Sequence, residues 1–449
     1  MSQSLINKPA NDVDIYGSEL EVEFVHKKVC IETKKCRICG STELTSVADL
    51  GAQNIASIFV KGSIPNLLQK KYPLELVRCT GKESCGLVQL RHSVSPDVLY
   101  YDYGYRSGIN ESMRKNLAEI VADIEKMVAL KPGDTIVDIG CNDGTLLSFY
   151  QESKLDKLGI DPATNVVKLA RECGIEVVND FFSAKAYHGA RPDKKARVVT
   201  SIAMFYDLER PMDFVKDIDS ILADDGVWVI ELSYMPMMLE QNSYDTICHE
   251  HLEYYTLRQI EWMVSRHGMS VHKVVFNDVN GGSFRLFIRK NNCPCAPDAE
   301  LTKLQQVRDT EALLKLDTET PYEHFRTIIE KNKNDLKNLL LDLRKKGKKV
   351  YLYGASTKGN TILQYVGINQ DLVHKAAERN RDKWGRRTLG TDISIVSEDQ
   401  ARSEKPDFFL VLPWHFFEGF KTREFEFLKN GGKFILPLPE VKVIGVEDL

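Results

Sequence analysis

The sequence predicts an α/β protein: two parallel-sheet units preceded by a small cysteine-bearing domain. Three observations predict it. Apolar strand-like runs alternate with helical stretches through the middle of the chain, the pattern of a parallel sheet covered on both faces. A second such alternation starts near residue 349, and each begins with a strand that ends in a glycine turn, "VDIGCNDG" and "YGASTKG". Four cysteines fall in two pairs before residue 90.

The elements follow in order. Residues 1–30 read as a polar arm and 31–95 as a loop-rich, cysteine-bearing domain. In "NESMRKNLAEIVADIEKMVAL" the apolar residues Leu117, Ile120, Val121, Ile124, Met127 and Val128 fall at helical spacing. "DTIVDIG", "KLGIDPA", "VVTSIAM" and "GVWVIEL" are buried strands, and "NGGSFRLFIRK" is a late antiparallel one, giving a unit over 96–292. A charged helical connector covers 293–347, and the second α/β unit covers 348–449. Two such units joined by a helix make a cleft, a common place for small ligands.

Composition narrows the partners. A length of 449 residues holds two to four domains, and 43% hydrophobic with 28% charged residues is ordinary for a globular protein. The net charge of −4 gives no electrostatic case for nucleic acid. No apolar run is long enough to span a membrane, and the first thirty residues lack an apolar signal core. A cytoplasmic protein is expected, its ten cysteines thiols or metal ligands rather than disulfides.

Cys36 and Cys39 form a CxxC pair; Cys79 and Cys85 form a wider one. Four thiolates on two knuckles suit a closed, structural zinc site, with Cys30 as a spare. The rival readings are a redox pair, which belongs at a helix start in a βαβ unit, and plain buried cysteines.

The glycine turn after the first central strand contains Asp138, Gly140, Asn142, Asp143 and Gly144. Its glycines let a ligand approach the backbone, and a helix N-terminus follows. Asp161 ends the next strand about twenty residues on, where a carboxylate can accept ribose hydroxyls. Asp180 and Phe181 follow a third strand and could take an adenine amine and stack on its ring. In this order and spacing the set resembles the S-adenosylmethionine (SAM) site of class I methyltransferases; a structural turn in another Rossmann-like domain is the bland alternative.

"DTICHEHLEYYT" lies beyond the fourth strand, past the carboxyl edge of the sheet. It could bind a metal, move a proton or be a polar loop. If extended, it would place His249 and His251 on one face. His251 with Glu250 or Glu253 has the parts of a general base. In the second unit, Gly354, Lys358, Gly359 and Asn360 could meet a diphosphate, and Arg379, Lys383, Trp384 and Arg387 add cations and an aromatic surface. A solvated basic loop is the alternative for any one of them.

The cysteine quartet, "YGYRSGINESMR", "VDIGCNDGTLL", "YDTICHEHLEYYTL", "NGGSFR", "GASTKGNT" and "ERNRDKWGRRTLGT" together resemble the bacterial nucleotide-sugar C-methyltransferases. The resemblance implies an N-terminal zinc domain, a central SAM-binding Rossmann-like domain and a C-terminal α/β domain that holds a nucleotide sugar. The implied substrate is an NDP-4-keto-6-deoxy sugar, methylated at C3 through an enolate. It points to His251 as the base, with Glu250 beside it and Tyr105 in the site. The sequence departs from the pattern where Cys248 replaces a common tyrosine, Phe205 and Tyr206 stand where a histidine is common, and Asn280 replaces another histidine. Tyr206 or His249 would then compensate. A monomer or homodimer is expected. The competing functions are an O- or N-methyltransferase acting on another small molecule and a non-catalytic scaffold that binds SAM or nucleotide sugar.

Overall fold

The computed structural model describes residues 29–99, 106–151 and 154–448. Tyr105 and nearly all of the N-terminal arm lie outside the described residues.

The N-terminal part carries six short strands: β1 (Cys30–Glu32), β2 (Leu44–Gln53), β3 (Phe59–Val60), β4 (Tyr72–Cys79), β5 (Val88–Leu90) and β6 (His92–Val94). The central part adds β7 (Thr135–Ile139), β8 (Asp156–Ile160), β9 (Glu176–Val178), β10 (Ala196–Ile202), β11 (Leu222–Ser233), β12 (Glu253–Tyr254), β13 (Met269–Asn277) and β14 (Ser283–Lys290). Seven of these form one sheet in the order β13-β14-β11-β10-β7-β8-β9. The first five by sequence run parallel, and β14 runs antiparallel to β11, as the sequence predicts. Every residue of β7 is buried, because helices cover both faces of a parallel sheet. One covering helix is Glu111–Met127, whose N-cap Asn110 accepts a hydrogen bond from the Ser112 N–H and whose Leu117, Ile120, Val121 and Ile124 face the core.

The connector holds two helices, Asp298–Leu313 and Thr320–Lys345. The C-terminal unit then supplies β15 (Val350–Tyr353), β16 (Ala376–Glu378), β17 (Arg387–Thr388), β18 (Ile395–Ser397), β19 (Phe408–Val411), β20 (Lys433–Leu436) and β21 (Lys442–Ile444). Six of these form the sheet β18-β16-β15-β19-β20-β21. In both large sheets the strand order reverses beside the first strand, between β7 and β10 and between β15 and β19. Those are the crevices where open α/β sheets receive ligands.

Two strands cross between units. β12, from the central segment, joins the N-terminal strands in a sheet of order β12-β5-β4-β2. β17, from the C-terminal loop, pairs with β3. The helix Thr357–Val366 adds further ties: Asn360 donates to the Ala56 carbonyl (2.6 Å), and Thr361 donates to the Ile247 carbonyl (3.2 Å). Asn360 is 1% exposed, so its substitution leaves a buried carbonyl without this donor. Asn360→Ala is expected to destabilise the protein by about 1–3 kcal/mol, read as a lower urea midpoint.

Candidate functional site

The cysteine quartet comes together. Cys36 and Cys39 flank a tight knuckle in which the Gly40 N–H bonds the Cys36 carbonyl (2.9 Å), and Cys79 ends β4. The Cys36–Cys85 and Cys39–Cys79 sulfurs are each 3.4 Å apart, and all four lie within 4.8 Å of one another. A tetrahedral zinc with bonds of about 2.3 Å needs sulfurs about 3.8 Å apart, so the set fits the ion. The thiols cannot share the space as thiolates without a cation. Neighbouring thiols hold Cys79 down to about 2, while the same contact and burial push Cys36 up to about 12. This is a closed four-sulfur set with a structural role.

The glycine turn after β7 has Gly140 at φ 72° and Gly144 at φ 77°. A Cβ on Gly140 would come within 3.2 Å of Met204, across the crevice, so both the conformation and the space call for glycine there. Asp161, at the end of β8, accepts hydrogen bonds from the Asn142 N–H (2.9 Å) and the Ala163 N–H (2.8 Å), which ties the turn to the neighbouring strand. Asp138 is buried against Thr200, and burial pushes its carboxyl up to about 7. Asp180 and Phe181 follow β9, the latter 56% exposed with its ring open to a ligand. Asn142 and Asp143 look the other way: their side chains accept from the Ser107 N–H (3.0 Å) and Gly108 N–H (2.8 Å). They dock the segment that follows Tyr105. A glycine floor, a strand-end carboxylate and an exposed ring suit the backbone-side, ribose and adenine parts of SAM.

The histidine segment is a turn and not a strand. The His251 N–H bonds the Cys248 carbonyl (3.1 Å), and β12 starts only at Glu253. The same-face expectation therefore fails, and the two rings separate. His249 is 1% exposed and its Nε2 bonds the Tyr72 carbonyl (3.1 Å), a tie to the N-terminal sheet. His251 sets Nδ1 against the Thr246 carbonyl (2.8 Å). A carbonyl only accepts, so Nδ1 carries the hydrogen and Nε2 keeps its lone pair. Tyr206 packs edge-on against the His251 ring at 4.5 Å. Glu250 is buried, with neither carboxyl oxygen hydrogen-bonded. Phe205 points into the core between Phe214, Trp228 and Tyr255.

A small pocket lies here, lined by Tyr206, Ser233, Thr246, His251 and Glu253 among others. Lys358 reaches toward it from the C-terminal unit. Its Nζ donates to the Asn280 carbonyl, and its charge, after burial, is the second cause holding His251 down to about 4. Asp245 and Cys248 lie near the same ammonium, and the Trp414 indole donates to Asp245 (3.0 Å). Trp414 follows β19, at the crevice of the second sheet. Sequence reading missed it, although "LPW" at a strand end was the signal.

The other C-terminal candidates fall in two groups. Gly354 has φ 83° and would place a Cβ 2.8 Å from Pro413; Gly359 sits against Leu412. Lys383 donates to the Ala355 carbonyl (2.7 Å) and lies over the Phe59 ring, and Trp384 donates to the Glu378 carbonyl and is 37% exposed. These surround the glycine turn. Arg387 instead pairs with Asp392 in β17, and Arg379 is exposed. Glu378 went unread. It ends β16 and accepts from the Ala355 N–H (2.8 Å), as Asp161 does from Asn142.

Comparison with known proteins finds three domain models along the chain. A putative zinc-binding domain model matches residues 36–100, a methyltransferase domain model 105–274, and a C-methyltransferase C-terminal domain model 278–439. The C-methyltransferase NovU of Streptomyces niveus is 29% identical over 415 residues, 92% of this chain and 97% of its own length. Among solved structures, the plantazolicin methyltransferase BpumL in complex with SAH is 16% identical, covering 44% of this chain and 91% of its own (TM-score 0.34). A putative methyltransferase of Haloferax volcanii in complex with Trm112 is 15% identical over 43% of this chain and 97% of its own (TM-score 0.34).

Two expected outcomes follow from the geometry. Cys79→Ser should strip zinc, read by atomic emission, and speed hydrogen exchange at Leu252–Tyr254, the segment paired with the zinc-side sheet. The folded His251 stands near 4 against about 6.5 when free, so the unfolded chain takes the proton first as pH falls. Stability should therefore drop between about pH 6.5 and 4, and His251→Asn should flatten that drop in urea midpoints taken at pH 7 and 5. With putative zinc-binding, methyltransferase and C-methyltransferase C-terminal domain models matched in series, the chain resembles the C-methyltransferases over most of its length.

Proposed function

We propose that the protein methylates C3 of an NDP-4-keto-6-deoxyhexose, with His251 as the base that forms the enolate. One observation carries this reading: a neutral imidazole with a free Nε2 lines a pocket and feels the charge of an ammonium from another domain. A proton beside a ketone is removable by a base of this kind when the developing oxyanion is stabilised. When bound, SAM supplies the electrophilic methyl group.

The chain's own groups divide the work. Asp161, Asp180 and Phe181 hold the donor, with Gly140 and Gly144 letting it approach the backbone. Thr246 fixes the His251 tautomer, and Tyr206 fixes the ring plane. Lys358 favours a neutral His251 and offers positive charge to an anionic substrate; the Gly354 turn with Lys383 and Trp384 holds the diphosphate and nucleoside. Tyr105, Glu250 and His249 complete the proposed set, His249 through its tie to Tyr72. The four cysteines hold zinc, which shapes the domain against which the histidine turn is built. A second unit with its own crevice favours a nucleotide-linked substrate over a small unlinked one, and with it C-methylation over O- or N-methylation of another molecule.

The test is mass spectrometry of the protein with SAM and a panel of NDP-4-keto-6-deoxyhexoses in water and in heavy water. One panel member should gain a single methyl group, and deuterium should enter the sugar without SAM. His251→Ala should abolish both while SAM still binds. Unchanged turnover in that variant would remove His251 as the base.

A further inference from the structure

The reading above gives the second unit a nucleoside diphosphate to hold, and on that basis we propose that Glu378 takes the furanose hydroxyls of this nucleotide. Glu378 ends β16, the strand paired in parallel with β15. The Gly354 N–H donates to the Ala377 carbonyl (2.8 Å), so the acid comes next to the glycine turn that leaves β15. A glycine turn after the first strand and an acid at the end of the second form the arrangement by which parallel α/β units set a phosphate on the turn and a ribose hydroxyl on the acid. The helix Thr357–Val366 starts directly after the turn, with Ser356 as its N-cap accepting from the Gly359 N–H (3.0 Å).

The carboxylate is held but not used up. One oxygen accepts from the Ala355 N–H and the other from the Asn380 N–H, each at 2.8 Å. A carboxylate offers about four acceptor positions, which leaves room for hydroxyls. Asp161 makes the same two bonds in the first unit, one to its turn and one to the residue two places on. Such a double grip fixes the direction of the acid before any ligand arrives. Glu378 is half-buried and so is not sealed in the core.

The neighbours fit a nucleotide around it. Lys383 Nζ donates to the carbonyl of Ala355 (2.7 Å), the residue whose N–H binds Glu378. An ammonium and a carboxylate therefore flank one turn, a cation for the phosphates and an acceptor for the hydroxyls. The Trp384 indole donates to the backbone carbonyl of Glu378 (2.8 Å) and stays 37% exposed, which sets an aromatic surface beside the same strand end. A ring can stack on any base, whereas a hydroxyl is recognised only by a hydrogen-bonding group.

The test is calorimetry on the unaltered full chain and on Glu378→Gln. The probes are CDP, GDP, UDP and thymidine diphosphate, each beside its counterpart lacking the furanose hydroxyls, and SAM binding is measured in both proteins. For the tightest-bound diphosphate, removing the hydroxyls should weaken binding to the unaltered protein about tenfold or more, the loss of hydrogen bonds to a charged acceptor. Glu378→Gln should weaken the hydroxyl-bearing nucleotide by a similar factor and the hydroxyl-free one by no more than about twofold, with SAM binding unchanged. A glutamate that only props up the turn would cost both nucleotides the same factor. The proposal is overturned if the unaltered protein binds the two nucleotides equally, a comparison that needs no variant, or if Glu378→Gln weakens both alike. If none of these diphosphates binds the unaltered protein, the nucleotide-sugar reading falls and this one with it; the other outcomes strike Glu378 alone.

Discussion

The pairing of β12 with β5 is the constraint on which the site depends. Two residue pairs, Glu253 with Gln89 and Tyr254 with Val88, place a piece of the central segment in the N-terminal sheet. Gln89 is itself gripped by the cysteine knuckle: its amide donates to the Lys35 carbonyl, and its oxygen accepts from the Arg37 N–H. Arg37 in turn donates to the Leu90 carbonyl. A continuous chain of bonds thus runs from the sulfur cluster to the turn that carries His251. A structural ion held by that cluster would therefore shape the His251 turn through backbone geometry.

The two large units repeat one plan with opposite charge. Each has a first strand, a glycine turn, a second strand ending in an acid, and a backbone N–H of the turn held by that acid: Asp161 in one, Glu378 in the other. Around the first crevice stand Asp138, Asp161 and Asp180. Around the second stand Lys358 and Lys383. On the proposed function, the sulfonium donor is a cation and the diphosphate acceptor an anion, so this division would sort them to their own sides of the cleft.

Much of the fold was legible because strand–glycine–helix units are local. β7 reads as a mostly apolar run that carries Asp138, and Asp161 follows at a spacing that a parallel βαβ unit imposes. The cysteine quartet was legible because zinc demands four thiols whatever lies between them. What escaped was long-range. No periodicity tells that Asn360 reaches Ala56, or that Asn142 and Asp143 accept from the Ser107 and Gly108 N–H groups. Phe205 and Tyr206 are neighbours in sequence, yet one fills the core and the other meets His251, a choice made by the short helical turn Phe205–Asp207. The histidine pair would share a face only if extended; the turn at Cys248 to His251 breaks that alternation.

The borrowed strand also has a consequence for synthesis. Val88–Leu90 leaves the ribosome long before Glu253–Tyr254 exists, so the N-terminal sheet waits with an open edge. Such an edge invites pairing with other chains. The nascent protein is therefore most prone to aggregate during that interval, and slowing or truncating the chain before residue 253 would prolong it.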